Sequence, residues 1–220
     1  MPWLPESVST FGGDIDRIFY VILWITGIIF VLVEVTLLWF ILRYRHRDGR
    51  SAVHIHGNWR VEVVWTTIPF LIVLTLGAMS WGPWHEVKYA DRVPPGALEL
   101  AVHAKQFEWS VTYPGPDGRL NTPDDFDRRN QLHVPLGRPV LVHLSSEDVI
   151  HSFFLPQFRV KQDVVPGMDL SVWFQATEPG EFTLACAELC GVGHTRMKAS
   201  VTVHAPGEYE AWSRDESASN

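Results

Sequence analysis

A two-helix transmembrane hairpin followed by an all-β sandwich is the architecture this sequence predicts, and three observations predict it. Two long apolar runs fill most of the first 84 residues. Alternation of period two, broken by Pro and Gly, fills much of residues 85–220. Charge divides at the same place: residues 1–84 hold 6 acidic and 6 basic side chains, whereas residues 85–220 hold 19 acidic and 12 basic and carry the whole net charge of −7. With 46% hydrophobic residues in 220 and a mean hydropathy of +0.03, the chain is too apolar for a plain soluble domain and too polar for a membrane bundle. The acidic balance argues against nucleic acid as a partner. Two cysteines are too few for a disulfide-built scaffold.

The first run, residues 18–42, has 25 residues and one charge, Glu34. At ~1.5 Å per residue such a helix crosses a ~30 Å hydrocarbon layer with some tilt. The second run, residues 61–84, holds Glu62 near its start and Pro69 in its first turns. The 25-residue run is too long for an ordinary core helix, and no basic segment precedes it as in a cleaved signal peptide. Between the runs, Arg43, Arg45, Arg47, Arg50 and Arg60 face only Asp48, so the positive-inside rule puts loop 43–60 in the cytoplasm. The N-terminus and everything after Trp84 then lie outside. Trp24, Trp39, Trp65, Trp81 and Trp84 suit interfacial anchors. Intramembrane carboxyls such as Glu34 and Glu62 face a partner or a water path, so two such helices look incomplete alone.

The external segment alternates on several stretches. Val140, Val142 and Leu144 share one face; so do Leu170, Val172 and Phe174, then Phe182, Leu184 and Cys186, then Ala199, Val201 and Val203. Turns at Pro135 to Gly137, Pro166-Gly167 and Pro179-Gly180 separate them, which indicates antiparallel strands. Residues 97–113 add a further strand or hairpin arm. Residues 114–129, with Asp117, Asp124, Asp125 and Asp127, read as a solvated surface insertion. Their spacing matches no familiar calcium loop. The tail after Arg214 reads as flexible.

One short segment concentrates the chemistry. Cys186, Cys190, His194 and Met197 fall within twelve residues, between two strand-like segments, on a loop loosened by Gly191 and Gly193. Thiolate, imidazole and thioether together form the ligand set of copper electron-transfer sites. A second His from a distant strand normally completes such a site, and His151 ends one. The additional cysteine allows two thiolates to bridge two coppers, each capped by one His, with Met197 and a backbone carbonyl as weak axial donors. A Cys-x3-Cys disulfide would leave His194 and Met197 unexplained. A Cys2His2 zinc site has other usual spacings and no use for Met. The remaining histidines, His46, His54, His56, His85, His103, His133, His143 and His204, show no such clustering and read as surface or packing residues.

From the first helix to about Trp212, the chain resembles subunit II of the haem–copper cytochrome c oxidases. The resemblance rests on four separated motifs: Cys186-x-Glu188-x-Cys190-x3-His194-x2-Met197, the upstream Ser146 to Ser152 stretch ending in His151-Ser152, Lys161-x-Asp163-x2-Pro166-Gly167, and Glu62-x2-Trp65-Thr66-x2-Pro69. It implies a cupredoxin-like external domain, residues 85–220, after an N-terminal segment and two helices in residues 1–84. It implies that His151, Cys186, Cys190, His194 and Met197 bind the dinuclear copper centre called CuA, with Glu188 giving its backbone carbonyl. The Glu188 side chain would help hold a magnesium ion shared with subunit I. Glu62 would stand near the cytoplasmic mouth of a proton path. A c-type cytochrome would reduce the copper, and haem in subunit I would take the electron for reduction of O2 to water coupled to proton pumping. A bacterial-type inner membrane, with the copper domain periplasmic, follows.

One departure stands out. The family's aromatic segment reads Gln-Trp-x-Trp, and its first Trp receives the electron from the cytochrome. Here Gln106 is followed by Phe107, Glu108 and Trp109, so Phe107 and Trp109 are the expected relay. No Cys-x2-Cys-His motif occurs in this sequence, so no haem is attached through one. The acidic surface, with Glu147 and Asp148 just before His151, is the expected docking patch for a basic cytochrome. A quinol oxidase subunit would lack the copper ligands, and a membrane-anchored copper carrier would not need Glu62 or the Glu188 side chain. A copper-fed nitric oxide reductase subunit is excluded less firmly.

Overall fold

The computed structural model describes residues 3–51, 54, 56–89 and 92–219. Part of the expected cytoplasmic loop, residues 52, 53 and 55, lies outside the described residues. By packing the chain forms two units, Asp14–Gly82 and a β unit made of Met1–Gly13 with Pro83–Asn220.

Two helices, α1 (Gly12–Tyr44) and α2 (Trp59–Lys88), are long and apolar enough to cross a membrane. Each runs a few residues past its apolar stretch at both ends. Three of their hydroxyl side chains bond back to the preceding turn, as hydrocarbon favours. Thr26 Oγ1 donates to the Ile22 carbonyl (2.8 Å), Thr75 Oγ1 to Leu71 (2.8 Å) and Ser80 Oγ to Leu76 (2.8 Å). Asn58 caps α2 by accepting the Arg60 N–H at 3.1 Å. Phe30, Leu32, Leu37 and Leu38 on α1, and Phe70 and Leu74 on α2, are exposed, which suits lipid rather than water.

The β unit is a sandwich of ten strands: β1 (Leu98–Lys105), β2 (Glu108–Tyr113), β3 (Phe126–Arg129), β4 (Gln131–Pro135), β5 (Pro139–Ser146), β6 (His151–Leu155), β7 (Val160–Val164), β8 (Leu170–Gln175), β9 (Gly180–Cys186) and β10 (Lys198–His204). One sheet runs β3-β2-β1-β5-β8 and the other β4-β10-β9-β6-β7. The β1–β5 and β10–β4 pairs are parallel and the others antiparallel. Alternating side chains meet between the sheets: Leu100 and Val102, Val140 and Val142, Leu132 and Val134, and Val201 are all fully buried. The expected faces of β5 and β10 hold in full. Phe182 is only half-buried, and Trp173 on β8 is buried beside Val172 and Phe174, so β8 does not alternate.

Two segments differ from their sequence reading, and a third had none. The acidic insertion ends in a strand: β3 pairs with β2, and buried Phe126 stacks on Tyr113 with centroids 5.2 Å apart. Its carboxylates serve local backbone, since Asp125 accepts from Asn121 N (2.7 Å) and Asp117 from Arg119 N (2.8 Å). The tail is not loose, because α3 (Glu208–Ala218) runs through it. Trp212 stacks on His133 (4.1 Å, 11°), Tyr209 is buried, and Glu216 pairs with Arg128. These aromatics are too sparse to mark a helix in sequence. Finally, the N-terminal segment packs on the sandwich: Val8 and Phe11 are buried, and Ser9 bridges Ala176.

The α3 seat makes one pH prediction. His133 Nδ1 lies 2.9 Å from His204 Nε2, a contact that needs one ring to donate and the other to accept. Burial, then His204 and Arg128, lower the His133 pKa to about 4, and burial lowers that of His204 against Glu208, Glu181 and Glu210. A released His133 binds a proton near its ordinary pKa of ~6.5, so docking is complete above that value and weakens as pH falls from 6.5 towards 4. Amide exchange of α3 is expected to quicken across that window. An exchange rate that stays flat once intrinsic pH effects are removed would sink the prediction.

Candidate metal centre

The cluster is assembled at one end of the second sheet. Cys186 is the last residue of β9, His151 the first of β6, and Met197 immediately precedes β10. The loop between Cys186 and Met197 is closed by its own backbone. Cys186 N donates to Met197 O (3.1 Å), His194 N to Gly191 O (3.1 Å), Met197 N to His194 O (3.1 Å) and Ala187 N to Ser152 O (3.1 Å). Strand pairing therefore fixes the two ends, and a tight turn at His194–Arg196 aims the side chains between them.

Six donor atoms converge. The two Sγ atoms lie 3.8 Å apart. Cys186 Sγ is 3.9 Å from His151 Nδ1 and 3.2 Å from the Glu188 carbonyl. Cys190 Sγ is 3.6 Å from His194 Nδ1 and 3.8 Å from Met197 Sδ. Such separations are those of donors sharing ions at bond lengths of about 2.0–2.3 Å. A disulfide needs sulfurs about 2.05 Å apart, and both cysteines are free. His151 is fully buried, and Cys186, Cys190 and Met197 are nearly so, which keeps the donors from water. Burial and the neighbouring Cys186 push the Cys190 thiol up to about 11. Binding a metal must displace that proton. Unpaired thiols crowded beside imidazole in an apolar pocket are poor packing and good ligation.

The surroundings sort the other expected residues. The Glu188 side chain is exposed. Trp109, expected near the surface, is fully buried, its ring centroid 6.1 Å from that of His151 and 6.0 Å from that of Phe153. It sits on the inward register of β2, which period-two counting from Val111 would have revealed. Half-buried Phe107 lies against the loop, and a Cβ at Gly193 would collide with its ring. Glu147 is exposed. Asp148 is exposed as well but also reaches the site: Oδ1 is 2.8 Å from His151 Nε2 and Oδ2 accepts from Gln106 N at 2.7 Å. Burial pushes its pKa up, but hydrogen bonds from His151, Gln106 and Val149 outweigh that and hold it below the ordinary carboxylate value. The Gln106 amide reaches the Cys190 carbonyl at 2.5 Å. Sequence reading missed both contacts, although the three-residue spacing from Asp148 to His151 was there to be read.

With this geometry in place, the comparisons with known proteins are decisive. The profile of "Cytochrome C oxidase subunit II, periplasmic domain" matches residues 101–204, and that of its transmembrane domain matches residues 3–82. The chain belongs to the cytochrome c oxidase subunit II family. It is 34% identical to the alternative cytochrome c oxidase subunit 2 of Bradyrhizobium diazoefficiens, over 96% of this chain and 83% of that one. It is 30% identical to cytochrome c oxidase subunit 2 of Thermostichus vulcanus, over 98% and 79%. The crystal structure of the periplasmic domain of subunit II of cytochrome oxidase from Bradyrhizobium japonicum superposes with a TM-score of 0.51 at 31% identity, covering 58% of this chain and 98% of that one. Membership makes the chain part of an oxidoreductase, an integral membrane protein with a periplasmic C-terminal domain of cupredoxin-like fold.

Proposed function

We propose that this chain is the electron-input subunit of a terminal haem–copper oxidase, with a dinuclear copper CuA centre held by His151, Cys186, Cys190, His194 and Met197 and by the Glu188 carbonyl. The observation that carries the reading is the pair of free thiols 3.8 Å apart, each with its own imidazole Nδ1 within 4 Å. One thiol with two imidazoles would hold a single copper; two thiols with an imidazole each would hold two. The bound copper supplies one-electron redox chemistry in a fixed geometry.

The protein's own residues do the rest. The loop, closed by backbone hydrogen bonds, holds the donors in place. Phe107 packs its ring against Gly191 and Gly193 of that loop. A c-type cytochrome would deliver its electron on the Phe107 side, and Trp109 packs its ring against His151. The 19 acidic side chains of residues 85–220, against 12 basic, steer a basic cytochrome, and exposed Glu147 belongs to that docking patch. The electron would pass to haem in subunit I, where O2 would be reduced to water and protons pumped. Exposed Glu188 faces subunit I and helps bind magnesium there. Glu62, in the first turn of α2, stands at the cytoplasmic mouth of a proton path, loop 43–60 being cytoplasmic and the N-terminus periplasmic.

Copper stoichiometry and spin resonance test the proposal. The full chain in detergent, loaded with copper, is expected to turn purple, hold two coppers per chain and give a hyperfine pattern from two equivalent nuclei. One copper per chain, or a single-nucleus pattern, would overturn the dinuclear reading.

A further inference from the structure

The turn between β1 and β2 touches both halves of the donor set. Gln106 gives its backbone N–H to Asp148 Oδ2 (2.7 Å) and its side-chain amide to the Cys190 carbonyl (2.5 Å). Asp148 in turn places Oδ1 2.8 Å from His151 Nε2 and accepts Val149 N–H on the same oxygen at 2.7 Å. His151 thus presents Nδ1 to Cys186 and Nε2 to a carboxylate, the orientation in which an outer carboxylate fixes the ring and raises its basicity. One chain of hydrogen bonds runs from the Cys190 loop through Gln106 and Asp148 to His151, joining segments 42 and 84 residues apart in sequence.

The loop is shaped to receive that turn. A Cβ at Gly191 would lie 2.7 Å from Gln106 Nε2 and 3.2 Å from the Phe107 ring, and one at Gly193 would meet the same ring. Gly191 also has φ +134°, where a side chain is strained. Bare backbone at both positions lets Gln106 reach the carbonyl.

We propose that Gln106 and Asp148 are a pair of positioning residues that brace the Cys190 loop against His151 and set the reduction potential of the centre, which rests on the copper reading above. A carboxylate on the Nε2–H of a ligating imidazole makes that ligand a stronger donor and favours the oxidised metal. Removing it raises the potential. Gln106 acts one step further out, holding the carboxylate and the loop together.

The test uses the full chain with Asp148→Asn, Asp148→Ala, Gln106→Ala, Gln106→Glu and the double Gln106→Ala/Asp148→Ala. With copper bound, the potential is expected to rise in the order wild type, Asp148→Asn, Asp148→Ala. The largest rise corresponds to a three- to tenfold shift in equilibrium with a one-electron mediator, tenfold being about 59 mV. Gln106→Glu keeps the size but replaces the donor amide by an acceptor, so it should behave like Gln106→Ala. The double variant should shift by less than the two singles added, because they share one chain of bonds. Without copper, alkylation of Cys190 is expected to quicken several-fold in both Gln106 variants, with the melting temperature of the chain unchanged. Unchanged potentials with copper retained, or a fall in melting temperature with no change in potential or Cys190 reactivity, would overturn the brace. If wild type itself binds no copper pair, the copper reading fails, and the Cys190 alkylation rates still decide the brace.

Discussion

Replacing Cys186 by serine is expected to abolish reduction by a c-type cytochrome while leaving the fold in place. Serine fills nearly the same volume at the end of β9, and the bonds that close the loop there, Cys186 N to Met197 O and Ala187 N to Ser152 O, are backbone bonds that survive the change. The hydroxyl cannot ionise at working pH and is a hard donor where a soft bridging thiolate is needed. Cys186 Sγ also meets His151 Nδ1, the Glu188 carbonyl and Cys190 Sγ, so its loss removes the group common to three of the other donors. Losses at outer partners of a metal ligand cost about 10–100-fold, and loss of a bridging ligand should exceed that. The measurement is steady-state oxidation of reduced cytochrome by the assembled oxidase carrying Cys186→Ser, with copper content and circular dichroism in parallel. Turnover near the wild-type rate in a copper-depleted variant would remove the relay role altogether. Loss of turnover with loss of the β signal would instead show that Cys186 is needed to fold.

What the sequence reveals about this chain depends on how local the signal is. The strand faces of β5 and β10 follow from two-residue periodicity, because each strand has one wet and one dry side. Four of the metal donors lie within one loop, so their spacing alone marks a site. His151 is separated from Cys186 by 35 residues, and only the need of such a site for a second imidazole from another strand points to it. The bonds from Gln106 to Asp148 and Cys190 leave no local trace, since they need two sheets to bring three segments together. Strand β3 was hidden under aspartates that serve as turn caps, and α3 under a polar composition whose two aromatics alone find a seat. The N-terminal residues show no pattern in sequence, because Pro, Ser and Gly surround Val8 and Phe11. Only the sandwich shows what those two side chains are for.

Phe11→Ala is expected to give the largest loss of stability among single changes outside the core strands. Phe11 is 2% exposed and meets Trp173 edge to face, with centroids 5.5 Å apart at 77°. Truncating a buried Phe costs about 3–5 kcal/mol through lost transfer energy and the cavity left behind. Its segment covers two edges. Strands β8 and β7 are the outer strands of their sheets, and the N-terminal segment crosses the gap between their ends. Val8 N donates to Gln157 O (2.9 Å), Thr177 N to Val8 O (2.9 Å) and Ser9 Oγ to Phe158 O (2.7 Å). With Phe11 gone, these bonds lose their anchor and the strand ends beside Ala176 and Phe158 are left open to solvent and to other chains. Trp173 also loses a wall of its pocket, although its indole N–H keeps the Glu86 carbonyl at 3.0 Å. The expected result is a lower melting temperature for the β unit, faster exchange at the Val8 and Thr177 amides, and protease cleavage within residues 5–13. Copper spectra should stay unchanged, because the ligands come from β6, β9 and the loop after β9. A variant that melts with wild type would show that the segment merely rests on the sandwich. One that melts early and also loses its copper signal would show that the two edges and the metal loop unfold as one unit.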